Sequence, residues 1–508
     1  MFPESPRRAP AVAMVTALVA VPLGCVSSMR QCDASSVPPS MGSPALRGQA
    51  TQKIPDFNGD GNADLAVPAP LSTVKGIQEA GVVAVVYGSR PGLDTEHAQV
   101  VSPAVEGPLG RLAERGTDFG ASPVARDLDG DGFTDLAVTV RTDGDDHVGT
   151  VVLWGSSEGL SDGTTLPGGG GLHGGDFDGD GRADLLLHTY YGNGRPDSAG
   201  PTVLYGPLTR DGEARGTDSF GTDWGDDIAP REIIVGDLTG DGRDDMVTSQ
   251  GFEEMQERGR FFKGGESGLE RASHELNSYS ENGVIADFDG DGYGDLVVRD
   301  IGQVSEDSYW RPGELRVFRG SASGPSSRGE VITRKTVGLI GTPKGSGAGG
   351  TTSDEFGAAL AATDANGDGY ADLAVGLPGE DTGHAPDAGA VTVLLGSRKG
   401  LTAAGACAIT QDSPGVPGES EPNDRFGTAL RMADMNHDGH PDLVVGAPGE
   451  YGETQQSGAV WVLNGSANGI STTDATSFGP ADLGAPEEGS EGSHFSVTGT
   501  GFGGSFPE

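Results

Sequence analysis

The chain has 508 residues, 87 of them glycine and 32 proline, and a formal charge of −42 at pH 7 with a pI near 4.3. That charge excludes nucleic acid and anionic membrane surfaces as natural partners, since both would be repelled. Three scattered cysteines exclude a disulfide framework, and glycine and proline recur at repeated offsets between strand-like runs, which marks turns rather than disorder.

Residues 1–25 read as an export signal. Arg7 and Arg8 precede an apolar stretch from Ala9 to Leu23 that is too short and too proline-interrupted to span a membrane. Leu23-Gly24-Cys25 leaves two endings open, plain secretion or a lipid anchor on Cys25, with Pro22 departing from the usual bacterial lipoprotein box. Residues 26–50, rich in Ser, Pro, Met and Gly, have no helical or strand period and read as a flexible tether. Arginine outnumbers lysine, as in high-GC bacterial genes, so the expected location is outside a bacterial cell, free or on its surface.

From residue 51 an acidic nonapeptide returns seven times. Oxygen side chains stand at positions 1, 3, 5 and 9, glycine at position 6, and position 7 offers its backbone carbonyl. This is the spacing by which a tight loop delivers six to eight oxygens to a calcium ion, the glycine permitting the sharp turn. In chain order the candidate ligands are Asp56, Asn58, Asp60, Asn62 and Asp64; Asp127, Asp129, Asp131, Phe133 and Asp135; Asp176, Asp178, Asp180, Arg182 and Asp184; and Asp237, Thr239, Asp241, Arg243 and Asp245. The last three sets are Asp287, Asp289, Asp291, Tyr293 and Asp295; Asp364, Asn366, Asp368, Tyr370 and Asp372; and Asp434, Asn436, Asp438, His440 and Asp442. Thr239 replaces an acid, so the fourth site is expected to be weaker.

An EF-hand would need a bidentate Glu at position 12 followed by a helix. Position 12 here is Val67, Val138, Leu187, Thr248, Val298, Val375 or Val445, inside short apolar runs such as Leu65-Ala66-Val67 that read as buried strands. A second strand and a G-S-x-x-G-L turn follow, clearest at Gly88 to Leu93, Gly155 to Leu160 and Gly396 to Leu401. Upstream of several loops stands a Phe-Gly pair: Phe119-Gly120, Phe220-Gly221, Phe356-Gly357 and Phe426-Gly427. One unit is therefore strand, acidic loop, strand, variable loop, strand, turn, strand. Seven four-stranded units at this period predict an all-β, seven-bladed β-propeller over residues 51–500, with 501–508 as a tail. The first loop lacks a Phe-Gly strand before it, and Gly492 to Ser496, including Phe495, reads as that missing strand, so that N- and C-terminal segments close one blade.

Phe-Gly, the acidic loop, and then Gly376-Leu377-Pro378-Gly379 or Gly446-Ala447-Pro448-Gly449 resemble the FG-GAP repeat of integrin alpha subunits and of secreted bacterial proteins. The resemblance implies a seven-bladed propeller with up to seven structural calcium ions on the face opposite the one that engages ligands. It implies a binding or adhesion module for an extracellular protein or carbohydrate. The alternative is a secreted hydrolase or lyase built on the propeller, of the phospholipase D-associated or polysaccharide-degrading type.

Gly155-Ser156-Ser157-Glu158-Gly159 fits the hydrolase pattern G-x-S-x-G, which needs a strand-to-helix elbow, but here it is one copy of a turn that recurs with other residues at the nucleophile position. Tyr190, Tyr191, Tyr309, Trp310 and Tyr451 fall on the variable loops between second and third strands and are the expected partner-binding aromatics. Trp154 and Trp461 fall within strands and read as core.

Overall fold

The apolar runs Leu65-Ala66-Val67, Leu373-Ala374-Val375 and Leu443-Val444-Val445 after the first, sixth and seventh acidic loops have no polar residue to offer solvent, so they must be covered on both faces. Leu65–Ala69 is buried at every position, as are Asp372–Leu377 and Asp442–Ala447. The computed structural model describes residues 54–507, apart from 105–108, 110–111, 113–115, 143–146, 189–200, 220–229, 253–254, 271–273, 303–312, 339–353, 384, 453–455 and 490–498. The expected signal and tether therefore lie outside the described residues.

The described chain forms seven antiparallel sheets in sequence order, six of four strands and one of three. The first sheet comprises Leu65–Ala69, Val82–Ser89 and Gly92–Val101; the second Ala121–Arg126, Asp135–Thr142, His147–Trp154 and Ser161–Pro167. Three further sheets occupy 171–219, 230–275 and 280–332. The sixth comprises Leu360–Thr363, Asp372–Leu377, Ala390–Leu395 and Thr402–Ile409, and the seventh Ala429–Ala433, Asp442–Ala447, Ala459–Leu463 and Thr476–Phe478. In the second sheet Leu136 faces Ala125 on one side and Leu153 on the other.

The core lies between sheets rather than within one. Seven buried apolar clusters each join two sheets: first to second, and so on to sixth to seventh, with one joining the seventh back to the first. In that last cluster Val67, Val82 and Ala84 of the first sheet meet Val444, Val460 and Phe478 of the seventh. The molecule is an all-β seven-bladed propeller. Trp154 and Trp461 are core residues, as expected from their strands.

The C-terminal segment differs from its expected role as a tail. Phe502 is fully buried in the cluster shared by the first and seventh sheets, and Phe506 packs against it. The Leu71 amide donates to the Thr500 carbonyl at 3.0 Å. Gly503 stands against the seventh blade as Gly427 stands against the sixth: a Cβ on either would meet the carbonyl oxygen of the preceding blade's third strand, Ala459 or Ala390, at 2.6 or 2.7 Å. Phe502-Gly503 is thus a further Phe-Gly pair that the sequence reading passed over, and Phe495 lies outside the described residues.

Candidate metal centre

In the six four-stranded blades the acidic loop joins the first and second strands, and in the first blade it leads directly into Leu65–Ala69, the counterpart of those second strands, so all seven open on one face. Position 2 anchors them. Phe57, Leu128, Phe177, Leu238, Phe288, Ala365 and Met435 are all 0% exposed, each plugged into the cluster toward a neighbouring blade. This role was legible in the sequence, where position 2 is never polar, but escaped notice beside the acids.

The carboxylate at position 1 folds the loop by accepting from the position-6 glycine amide, at 2.8–3.1 Å in all seven copies. Those glycines hold φ between +82° and +98°, a conformation that costs an L side chain ~1–2 kcal/mol. Position 5 accepts from the position-7 amide at 2.8–3.2 Å. These bonds gather carboxylates that would otherwise repel one another.

In three loops the gathering is tight: oxygens of Asp127, Asp129 and Asp135, of Asp176, Asp178 and Asp184, and of Asp287, Asp289 and Asp291 lie within 4.8 Å of one another. These are the three loops with Asp at position 3. In the others Asn58, Thr239, Asn366 or Asn436 stands there, and the asparagines keep the local scaffold by accepting from the position-5 amide at 2.8–3.0 Å. All-oxygen donor sets of this kind suit a hard dication such as calcium. Basic side chains lie against four loops: Arg210 reaches Asp129 at 2.9 Å and Asp131 at 2.8 Å, Arg215 pairs with Asp178 and Asp180, Lys263 is 3.0 Å from Asp241, and Arg319 pairs with Asp289.

Position 9 does more than the spacing suggested. Asp64, Asp135, Asp184, Asp245, Asp372 and Asp442 are 0% exposed and Asp295 is 1%. Asp135 accepts from the Leu128 amide and from the Gly155 amide, both at 2.8 Å, tying loop position 2 to the first residue of the G-S turn. Burial pushes these acids up, to about 7 for Asp64, Asp135, Asp184, Asp245, Asp295 and Asp372 and to about 6 for Asp442.

The loops are also stitched to one another. The Thr134 amide donates to the Asp56 carbonyl, Asp244 to Asp176, Gly294 to Asp237 and Ala371 to Asp287, at 2.9–3.2 Å. At these four interfaces position 8 of one blade binds position 1 of the blade before, whereas the last loop has Pro441 at position 8 and no amide to donate.

The hydrolase-like pattern at Gly155 to Gly159 is a turn followed by the strand Ser161–Pro167, and its Ser156 hydroxyl donates to the Gly159 carbonyl at 2.7 Å. Ser397 and Ser466 close their turns identically. Tyr451 is 55% exposed on the connection between the second and third strands of the last blade. Tyr190, Tyr191, Tyr309 and Trp310 lie outside the described residues. No helix among the described residues is long and apolar enough to cross a membrane.

The family model described as FG-GAP repeat matches residues 49–86, 119–154, 356–394 and 426–463. Phosphatidylinositol-glycan-specific phospholipase D of Bos taurus is 35% identical over 176 residues, which are 34% of this chain and 19% of that protein. Integrin alpha-PS5 of Drosophila melanogaster is 36% identical over 136 residues, 26% of this chain and 12% of that one, and integrin alpha pat-2 of Caenorhabditis elegans is 29% identical over 255 residues, 46% and 17%. The chain thus spans less than a fifth of the length of these relatives. Among solved structures the exotype rhamnogalacturonan lyase YesX aligns over 91% of this chain and 87% of its own at 14% identity and a TM-score of 0.35, a likeness too loose to bear on function. The Phe-Gly pairs, the acidic loops and the blades they organise make this chain an FG-GAP repeat β-propeller protein, related to integrin alpha subunits and to phosphatidylinositol-glycan-specific phospholipase D.

Proposed function

We propose that this chain is an extracellular, calcium-stabilised binding propeller that takes a protein or carbohydrate partner on the face opposite its acidic loops. The seven loops hold calcium through positions 1, 3, 5 and 9 and the position-7 carbonyl, and the metal supplies countercharge and rigidity rather than chemistry. The C-terminal segment through Phe502-Gly503 completes the three-stranded first blade.

The observation that supports the partner face is Tyr451. Strands alternate in direction, so connections from second to third strand emerge opposite the acidic loops, and Tyr451, 55% exposed, stands on one of them. By sequence, Tyr190, Tyr191, Tyr309 and Trp310 fall on the corresponding connections of two other blades. An exposed aromatic on a loop held by a rigid scaffold suits glycan stacking or a protein hot spot.

The test is a pull-down from culture medium and neighbouring cells, with calcium and with chelator, followed by Tyr451→Ala. Binding should require calcium and fall at least tenfold in the variant, while its melt is unchanged. Full affinity in the variant would move the site elsewhere, and turnover of glycans or phosphodiesters would replace the binding reading with an enzymatic one. Thermal melts alone test the metal: at ~1 mM calcium each ~10⁻⁴ M site adds about 1.4 kcal/mol, so melts in calcium and in chelator should differ by many degrees. Coincident melts would remove calcium from the reading.

A further inference from the structure

On the face opposite the acidic loops, a three-residue arrangement recurs between neighbouring blades. Its members are the second residue past a fourth strand, the residue two before the next Phe-Gly phenylalanine, and the fourth residue after the second-strand position occupied by Gly376 or Gly446. Between the fifth and sixth blades these are Arg334, Asp354 and Glu380. All are nearly fully buried, and the guanidinium of Arg334 lies 2.6 Å from Asp354 and bridges both oxygens of Glu380. Two buried carboxylates are thereby balanced by one cation.

Between the sixth and seventh blades the same positions are Gln411, Asp424 and Glu450. The frame is the same: the carbonyl of Glu380 accepts from the Gly389 amide, and that of Glu450 from the Gly458 amide. The cation is gone, because glutamine stands where arginine stood. Gln411 is 1% exposed and donates to Glu450 at 2.7 Å, leaving its Oε1 without a hydrogen-bond partner. Asp424 is 0% exposed; one of its oxygens accepts from the Glu421 amide at 2.6 Å, the Gln411 side chain also acts on its carboxylate, and Oδ1 has no partner within 3.5 Å. Other charged groups acting on this pair, Glu421 and Asp412, are themselves acidic. Arg425, next in the chain, is turned to Glu355 at 2.6 Å. Between the seventh and first blades the three positions are Pro480, Thr500 and Ser72, which carry no charge. Only the middle arrangement of the three keeps two acids without a counterion.

We propose that Asp424, Glu450 and the Oε1 of Gln411 bind a hard divalent cation of the calcium class, at a site separate from the acidic loops and on the opposite face. Two carboxylates and an amide oxygen are ligands such an ion takes, and a buried unpaired carboxylate oxygen is costly without one. Glu450 is partly exposed, which gives the ion a way in. The ion would fix the Glu450 end of the connection that carries Tyr451.

The test counts bound calcium per chain by titration calorimetry and by terbium luminescence, in the full chain and in three variants. Gln411→Arg rebuilds the neighbouring arrangement and should bind one cation fewer while melting higher in chelator than the wild type. Asp424→Asn and Glu450→Gln should also bind one fewer, with terbium emission from the acidic loops retained. An unchanged count in Gln411→Arg and in whichever carboxylate variant folds would overturn the proposal. So would a stability transition between pH 6 and 7 that Gln411→Arg abolishes without altering the count, since the two acids would then share a proton instead of a metal.

Discussion

Asp64 and Gly88 lie 24 residues apart, yet the Gly88 amide donates to the Asp64 carboxylate at 2.8 Å. A Cβ on Gly88 would stand 2.1 Å from the carbonyl oxygen of Ala63. The same pairing joins Asp135 to Gly155, Asp184 to Gly206, Asp245 to Gly264, Asp295 to Gly320, Asp372 to Gly396 and Asp442 to Gly465, at 2.8–2.9 Å. Position 9 therefore holds a distant turn from a buried site whether or not metal is bound, whereas the backbone amides that donate to positions 3 and 5 lie within their own loop.

That separation is measurable. Asp135→Asn leaves a buried amide hydrogen facing backbone donors, and should destabilise the protein by about 1–3 kcal/mol in chelator as well as in calcium. Asp131→Asn, on the exposed rim of the loop, should destabilise in calcium but have little effect in chelator. Denaturant unfolding of both variants under both conditions distinguishes them; equal behaviour of the two would return position 9 to a purely ligating role.

The buried position-9 acids set a pH trend. Their folded values, about 7 for Asp64 and Asp135 among others, lie above the ordinary 3.8. Between those values the metal-free folded state binds more protons than the unfolded one, so stability is greatest near pH 4 and is lost as pH rises toward 7. With calcium the ionised form is the one held, and stability should instead rise over the same window. Melts from pH 4.5 to 7.5, with chelator and with calcium, should slope in opposite directions, and parallel slopes would refute the calcium assignment.

His437 occupies position 4 of the last loop with φ +58°, where the other six loops have glycine at φ between +64° and +78°. His437→Gly should relieve left-handed strain and stabilise the chain by about 0.5–1 kcal/mol, after the entropy that glycine adds to the unfolded state. Urea unfolding of the variant in chelator reads this directly; a loss of stability would mean that the imidazole makes a contact worth more than the strain.

Phe502 is fully buried in the cluster shared by the first and seventh sheets. Phe502→Ala should cost about 3–5 kcal/mol, as for other fully buried phenylalanines, and removal of residues 499–508 should produce aggregation through the exposed edge. A monomeric truncation with the wild-type melt would show that the ring holds without its C-terminal segment.

Much of this architecture is local and hence readable from sequence. Acids on alternate positions, a glycine where φ must be positive, and an apolar run after position 9 together specify a loop between strands, and their sevenfold return specifies the blade count. The position-2 anchors were equally local, but their meaning depends on an inter-blade core that only packing reveals. What tertiary structure alone decided are the long-range pairings. The acidic loop and the G-S turn read as two motifs until Asp135 is found holding Gly155, because a hydrogen bond across 20 residues leaves no periodic trace. Phe502-Gly503 was hidden for the same reason: one phenylalanine and one glycine near a glycine-rich terminus carry no pattern, and only their seat between the last and first sheets identifies them. The substitution of Gln411 for the arginine at position 334 becomes meaningful only when folding superposes two blade interfaces 77 positions apart, since burial, not sequence, turns an ordinary pair of acids into an unbalanced charge.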